Sequence, residues 1–435
     1  MKRRLYRGAD YRRAQNIEEM RAIARRRTPN FSFEYVEGGA EDEVTLRRNR
    51  AVFEEIAFLP RTLVNVAERR QAIDLFGKPS VSPFLIGPTG FNGLLTHRGD
   101  VALARAAAKA GIPFVLSNAS TVALEEVVAE AGGRVWMQLY LYRTRAFAAR
   151  LVERVDRAGL EALVVTTDSA IFGNREWDRR NYKRPLKLDL RNTIDVALHP
   201  RWLFDVMVPH GVPRFKNLGD LLPPGQDSAR GAASALAREL DPSLNWDDIR
   251  WLRRLWSGKL IVKGIITVED ALLAAECGVD GIVLTNHGGR QLDGAISAME
   301  ILPDVAAAVG DRLTVLIDGG FRRGSDIVKA RLLGAHAAML GRATLYGLAA
   351  GGEAGAAHAI DILKTEVDRV LGLLGFSDIN AMDPGCLRWP ARTVRLAAEA
   401  QLQRSENLTG SMRTGAALSP ARPLSQTVPK REMSS

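Results

Sequence analysis

Residues 259–290 read KLIVKGIITVEDALLAAECGVDGIVLTNHGGR. An apolar run, Leu260–Gly264, gives way to a helical pattern over 268–277, and Gly278 stands where that helix would end. A second apolar run, Gly281–Thr285, follows at once. Neither run alternates polar with apolar, so each reads as a strand buried on both faces, as in a parallel sheet. Both run out into polar residues: Lys263-Gly264 in the first, Thr285-Asn286-His287-Gly288-Gly289-Arg290 in the second.

The same unit recurs on either side. Further runs are Phe84–Pro88, Pro113–Ser117, Val135–Leu139, Ala162–Thr167, Thr314–Asp318 and Ala337–Gly341. Helical patterns lie near 99–111, 123–131, 145–158, 246–256, 297–309 and 324–333, several closed by a glycine. Strands alternating with helices, eight times over with no switch in pattern, predict an α/β fold of the (β/α)8 TIM-barrel type rather than an open doubly wound sheet. Residues 1–60 read as an N-terminal helical segment packing on that barrel, interrupted at Thr28-Pro29 and again at Gly38-Gly39. The barrel is expected over 61–400, and 404–435, rich in Ser, Pro, Thr and Gly, as a flexible basic tail. After the fourth strand the rhythm breaks. Residues 172–245 are too long for a βα loop and hold Trp202-Leu203-Phe204 and Val206-Met207-Val208. Such an insertion suits either an interfacial membrane segment or a flap packing on its own barrel or a neighbouring subunit.

Composition narrows the class. With 435 residues, 46% hydrophobic and 25% charged, the chain has enough to bury a full core and is neither disordered nor collagenous. No apolar run is long enough to predict a membrane-spanning helix, and no secretory signal is expected. Cys277 and Cys386 are far apart and unpatterned, so neither a disulfide scaffold nor a metal site is expected, and a reducing cytoplasmic setting fits. The net charge of +10 lies in the ends, +7 in residues 1–27 and +3 in 404–435, around a neutral body. Basic ends suit a solvated terminus, an anionic membrane surface or nucleic acid; the neutral body argues against nucleic acid as a partner.

In barrels of this kind chemistry sits at the carboxyl ends of the strands. There the chain offers Pro88-Thr89-Gly90, Ser117, Gln138-Leu139-Tyr140, Thr166-Thr167-Asp168, Lys263, Thr285 to Arg290, Asp318-Gly319-Gly320-Phe321-Arg322 and Gly341-Arg342. The last two sets would offer backbone N–H groups beside arginines, a way to hold a phosphate. No dinucleotide fingerprint is present, which favours a mononucleotide cofactor. His287 can take a proton near neutral pH, and Asp168 can stabilise the resulting cation. Arg290 and Arg175 suit a carboxylate, which a guanidinium binds with two parallel hydrogen bonds.

The run Thr285-Asn286-His287-Gly288-Gly289-Arg290-Gln291 resembles the signature of the FMN-dependent L-2-hydroxy acid oxidases and dehydrogenases. The likeness spans about residues 10–385. It includes Tyr35 within FEYVEGGAED, Gly87 to Gly90, Gln138 to Tyr140, Thr166 to Asp168, Val262 to Gly264, Asp318 to Gly324 and Leu340 to Arg342. It implies FMN across the barrel mouth. The phosphate would meet Gly319, Gly320, Arg322, Gly341 and Arg342, and the ribityl chain Asp318. Pro88, Thr89, Gly90, Ser117, Gln138, Thr166 and Thr285 would line the ring, with Lys263 balancing its charge. Arg175 and Arg290 would clamp the substrate carboxylate, Tyr35 and Tyr140 would touch the carboxylate or hydroxyl, and His287 with Asp168 would act as base on the α-proton or the hydroxyl proton.

The resemblance also implies a substrate class, the (S)-2-hydroxy acids, with (S)-mandelate first and L-lactate second. Glycolate-oxidising members carry a bulky Trp where this chain has Ala119, which leaves room for a larger substituent. The insertion resembles a membrane-attaching segment of the family, so a quinone is the expected acceptor, ahead of oxygen, at the cytoplasmic face of the inner membrane. A homo-oligomer, by family a tetramer, is expected.

Overall fold

A computed structural model describes Tyr6 and residues 8–181, 190–219, 221 and 238–390. The expected basic tail, 404–435, and the parts of the insertion at 182–189 and 222–237 lie outside the described residues. Eight parallel strands close into a barrel in chain order: β1 (Phe84–Ile86), β2 (Phe114–Ser117), β3 (Val135–Tyr140), β4 (Ala162–Thr166), β5 (Lys259–Ile265), β6 (Gly281–Leu284), β7 (Thr314–Asp318) and β8 (Ala337–Leu340). The predicted runs and the strands coincide to within a residue or two. Residues of β2, β4, β6 and β8 are buried throughout, as continuous apolar runs require. Register sets Ser117 beside Gln138, Tyr140 beside Thr166 and Thr166 beside Lys263, so the polar strand ends form one rim.

Among the described residues three α-helices precede the barrel: α1 (Ile17–Arg27), α2 (Asn30–Glu37) and α3 (Val44–Glu55). Asn16 caps α1, and Pro29 starts α2. The first turn of α3 is capped from afar: Asp293, in the loop after β6, accepts from the backbone of Val44 and Thr45 at 3.1 and 2.7 Å. The N-terminal segment is thereby tied to the end of the barrel that carries the polar rim. At the opposite end a hairpin, Ile73–Leu75 with Lys78–Ser80, brings Phe76 against Trp136, 5.6 Å between ring centres.

One long element escaped the sequence reading. Arg342–Leu374 is helical with a kink at Gly351 and Gly352, and it packs on α1 and on the helix Gly99–Ala110. Its segment GLAAGGEAGAAHA is poor in helix signal because small residues are demanded by close approach. A Cβ on Gly347 would stand 2.5 Å from the carbonyl oxygen of Gly355, and one on Gly351 2.5 Å from the Tyr11 ring.

The insertion has two faces. Trp202 (3% exposed) and Val206 pack with Phe31, Phe91 and Leu94, and the Trp202 indole N–H donates to the Leu94 carbonyl at 2.8 Å. Asn217 donates to Ser120 and Val122 and accepts from the Leu124 N–H, holding the segment to the loop after β2. On the other face Leu190, Ile194, Leu198, Phe204 (63% exposed) and Val208 are exposed. Leu190, Ile194 and Leu198 recur every fourth residue, one stripe of the helix Leu190–Ala197 and the turn after it. Among the described residues no helix is long and apolar enough to cross a membrane.

Candidate active site

The loops after β4 and β6 bring the predicted acid–base pair together. Gly264, at φ +123°, sits at a bulge in β5. A Cβ there would come within 2.7 Å of the Thr167 hydroxyl and 2.8 Å of the Asp168 backbone nitrogen. Glycine thus lets the loop after β4 cross β5, where both the backbone N–H and the hydroxyl of Thr167 donate to the Lys263 carbonyl. After β6, His287 holds a left-handed φ of +58°, uncommon for a residue with a side chain. Its backbone N–H donates to the Thr285 hydroxyl at 2.8 Å, and the Asn286 and Asn49 amides pair reciprocally, each at 2.8 Å. The imidazole Nδ1 then lies 2.9 Å from Asp168 Oδ1. A carboxylate can only accept, so Nδ1 carries the proton, and in the neutral ring the lone pair is left on Nε2. Burial pushes the Asp168 carboxyl up, but His287, Lys263 and Ser169 outweigh it and hold it below the usual range.

Gln291, quoted as part of the signature but given no role, stitches these loops. Its amide nitrogen donates to the Asp168 carbonyl at 2.7 Å, to the Ser169 hydroxyl at 3.1 Å and to the Ile171 carbonyl at 3.1 Å; its oxygen accepts from the Gly173 N–H at 3.0 Å.

A buried polar row crosses the other strand ends. Ser117 donates to Gln138 Oε1 at 2.9 Å, and Gln138 Nε2 to Thr166 Oγ1 at 3.0 Å. Lys263 Nζ lies 2.8 Å from Asp318 Oδ2, and the Thr285 hydroxyl bonds Asp318 Oδ1. Burial alone would lower the Lys263 ammonium, but Asp318 and Asp168 carry it above the ordinary lysine value, so it is a fixed cation. Thr89 is braced by Asn92, which bonds the buried carboxylate of Asp100 at 2.8 Å. Gly341 begins the long helix, with only the Thr89 methyl, at 4.0 Å, near the position of a Cβ. Gly319 and Gly320, both at positive φ, lie just before the helix Gly324–Leu332. Two helix N-termini, three glycine backbones and Arg322 suit a phosphate, and the polar row suits the heteroatom edge of a planar ring. Arg342 donates to the carbonyls of Val36, Gly288 and Gly38 at 2.8, 2.8 and 2.9 Å, so it also ties α2 and the loop after β6 to β8.

The two expected carboxylate-binding residues converge. Arg290 donates to the Gly38 carbonyl at 2.6 Å and lies over the Tyr35 ring at 5.5 Å. Arg175 and Arg290 approach one carboxylate, Asp178, at 3.7 and 3.8 Å. Burial, with Arg175 alongside, pulls Arg290 down to about 10. Tyr35 donates to the Gly90 carbonyl at 3.3 Å. Burial pushes the Tyr140 phenol up to about 12, so it stays a donor. A Cβ on Gly90 would stand 3.1 Å from the Ala119 Cβ and 3.7 Å from the Tyr35 hydroxyl, so these three share one wall.

A family profile described as FMN-dependent dehydrogenase matches residues 24–389. (S)-Mandelate dehydrogenase of Pseudomonas putida is 46% identical over 374 residues, 86% of this chain and 93% of that one. L-lactate oxidase of a Nostoc species is 40% identical over 378 residues, 86% of this chain and 97% of that one. Among solved structures, a monotopic membrane protein, (S)-mandelate dehydrogenase, superposes with a TM-score of 0.83 at 45% identity, covering 87% of this chain and all of that one. The chain belongs to the FMN-dependent dehydrogenase family, and FMN is its cofactor.

Proposed function

We propose that this chain oxidises (S)-2-hydroxy acids to 2-oxo acids, with (S)-mandelate going to benzoylformate, and passes the electrons to a membrane quinone. The observation that carries the reading is the His287–Asp168 pair, joined through Nδ1, at the same barrel mouth as two converging arginines. FMN would be held by Pro88, Thr89, Gly90, Ser117, Gln138, Thr166 and Thr285 along the ring, Lys263 beside its charge, Asp318 at the ribityl chain, and Gly319, Gly320, Arg322, Gly341 and Arg342 at the phosphate. Bound there, it supplies a two-electron acceptor. Arg175 and Arg290 bind the substrate carboxylate and orient it. Tyr35 and Tyr140 donate to the carboxylate or hydroxyl. His287 Nε2 takes a proton from the substrate, and Asp168 stabilises the imidazolium that results.

Mandelate is preferred over L-lactate because the wall of Ala119 and Gly90 is small, which leaves room for an aromatic ring. The exposed apolar face of the insertion, together with the named membrane relative, supports peripheral attachment at the cytoplasmic face of the inner membrane, where a quinone is the available acceptor. The basic ends add attraction to anionic lipid. On family likeness the chain is proposed to be a homo-oligomer, a tetramer. The test is an anaerobic visible spectrum before and after (S)-mandelate, with (S)-lactate as control. Fast bleaching of the flavin bands by mandelate and slow bleaching by lactate is expected. Faster bleaching by lactate would overturn the substrate, and peroxide formed stoichiometrically in air would overturn the acceptor.

A further inference from the structure

The two arginines share a partner that no sequence motif pointed to. Asp178, on the short helix Glu176–Asn181, sets one carboxylate oxygen, Oδ2, 3.7 Å from Arg175 Nη1 and 3.8 Å from Arg290 Nη2. These are ion-pair distances beyond hydrogen-bond reach, so Asp178 balances charge without consuming the N–H groups a ligand needs. Arg290 is fixed independently, by the Gly38 carbonyl and the Tyr35 ring. The site is largely buried: the three side chains are 20% exposed for Arg175, 22% for Asp178 and 15% for Arg290.

We propose that Asp178 is a specificity-determining residue, which reduces a doubly positive clamp to a single net positive charge and so selects monocarboxylic over dicarboxylic 2-hydroxy acids. This rests on the reading of Arg175 and Arg290 as the substrate clamp. A monoanion brings the trio of side chains to neutrality. A dianion leaves an unpaired negative charge in a half-buried pocket, which is costly. Without Asp178 the balance reverses: the monoanion leaves a positive charge uncompensated, and the dianion closes the account. Burial leaves the Asp178 carboxyl above its ordinary value, although Arg290 and Arg175 both oppose the rise. The nearby carboxyl of Glu34 is also raised by burial and by its acidic neighbours, Asp178 among them.

Succinate and butanoate test this directly, being four-carbon acids that differ in a terminal carboxylate against a methyl. Binding of each to the FMN-loaded full chain is measured by titration calorimetry at one pH and ionic strength. Asp178→Asn should shift the succinate-to-butanoate affinity ratio by ~tenfold or more toward succinate, since a unit charge at this range in a largely buried site is worth that much. Asp178→Ser, a second neutral variant, should shift it the same way, and Asp178→Glu should keep the wild-type ratio. A merely structural role would weaken both acids together and leave the ratio alone, which overturns the proposal. Arg290→Met separates the two levels. If it binds butanoate as the wild type does, the clamp reading fails and the inference with it; if it loses butanoate while Asp178→Asn leaves the ratio unchanged, the inference alone fails.

Discussion

Asp168 Oδ1 lies 2.9 Å from His287 Nδ1, while Oδ2 of the same carboxylate is buried with no hydrogen-bonding partner among the described residues. The aspartate therefore orients the imidazole through one oxygen, Oδ1, which also accepts from the Ser169 hydroxyl at 3.4 Å. Its backbone is held independently, through the Gln291 amide. The pair joins the ends of two barrel strands, β4 and β6, that are separated around the ring by β5.

If Nε2 of His287 is the base, His287→Gln should cut the rate of substrate oxidation by more than ~100-fold, the lower end for a general base. Stopped-flow bleaching of the flavin reads this directly. Near-normal rates in a variant that retains FMN would remove His287 from that role.

The Asp168 carboxyl is held below its usual value, which fixes the sign of a pH effect. A depressed carboxyl stabilises the folded state at pH above the unfolded value of ~4 and loses that contribution as pH falls through the folded value. Thermal melts of wild type and Asp168→Asn should therefore differ at pH 6, with the wild type higher, and converge below pH ~4. Curves that stay apart at low pH would mean the pair contributes through packing instead.

Two glycines at similar φ separate strain from crowding. Gly294, at +81°, has nothing within 4 Å of a Cβ position, whereas at Gly320, at +85°, a Cβ would stand 1.9 Å from the Asn49 carbonyl oxygen. Gly294→Ala should cost about 1–2 kcal/mol, the left-handed penalty. Gly320→Ala should cost ~2–5 kcal/mol, the same penalty plus overpacking against the Asn49 backbone. It should also weaken FMN retention, read by the flavin absorbance that survives gel filtration.

The two faces of the insertion should respond oppositely. Trp202→Ala removes a buried ring and its bond to Leu94, and should lower stability by ~3–5 kcal/mol. Phe204→Glu changes an exposed side chain and should leave stability within ~0.5 kcal/mol while sharply weakening sedimentation with anionic vesicles. Unchanged vesicle binding by Phe204→Glu would take Phe204 out of the membrane contact.

Much of the fold was legible in order and number. Each strand from β1 to β8 is a short apolar run, four of them closed by a polar residue, and burial on both faces leaves that mark in sequence. The helix Arg342–Leu374 was not legible, because its small residues answer to neighbours such as Tyr11 and Gly355 rather than to helix propensity. The insertion offered two readings, and its structure carries features of both: an inner face on Phe31 and Phe91, an outer face of exposed apolar side chains.

The sequence by itself determined which residues stand at the strand ends, since strand period and chain order set that locally. Only the tertiary structure decided who meets whom there. Asp178 lies three residues from Arg175 but meets Arg290 across the mouth; Gln291 reaches back to Asp168; Arg342 is drawn to the carbonyls of Val36 and Gly38. Those contacts join segments more than a hundred residues apart in sequence. Their partners are chosen by barrel closure and by the helices laid over its mouth, which no local pattern records.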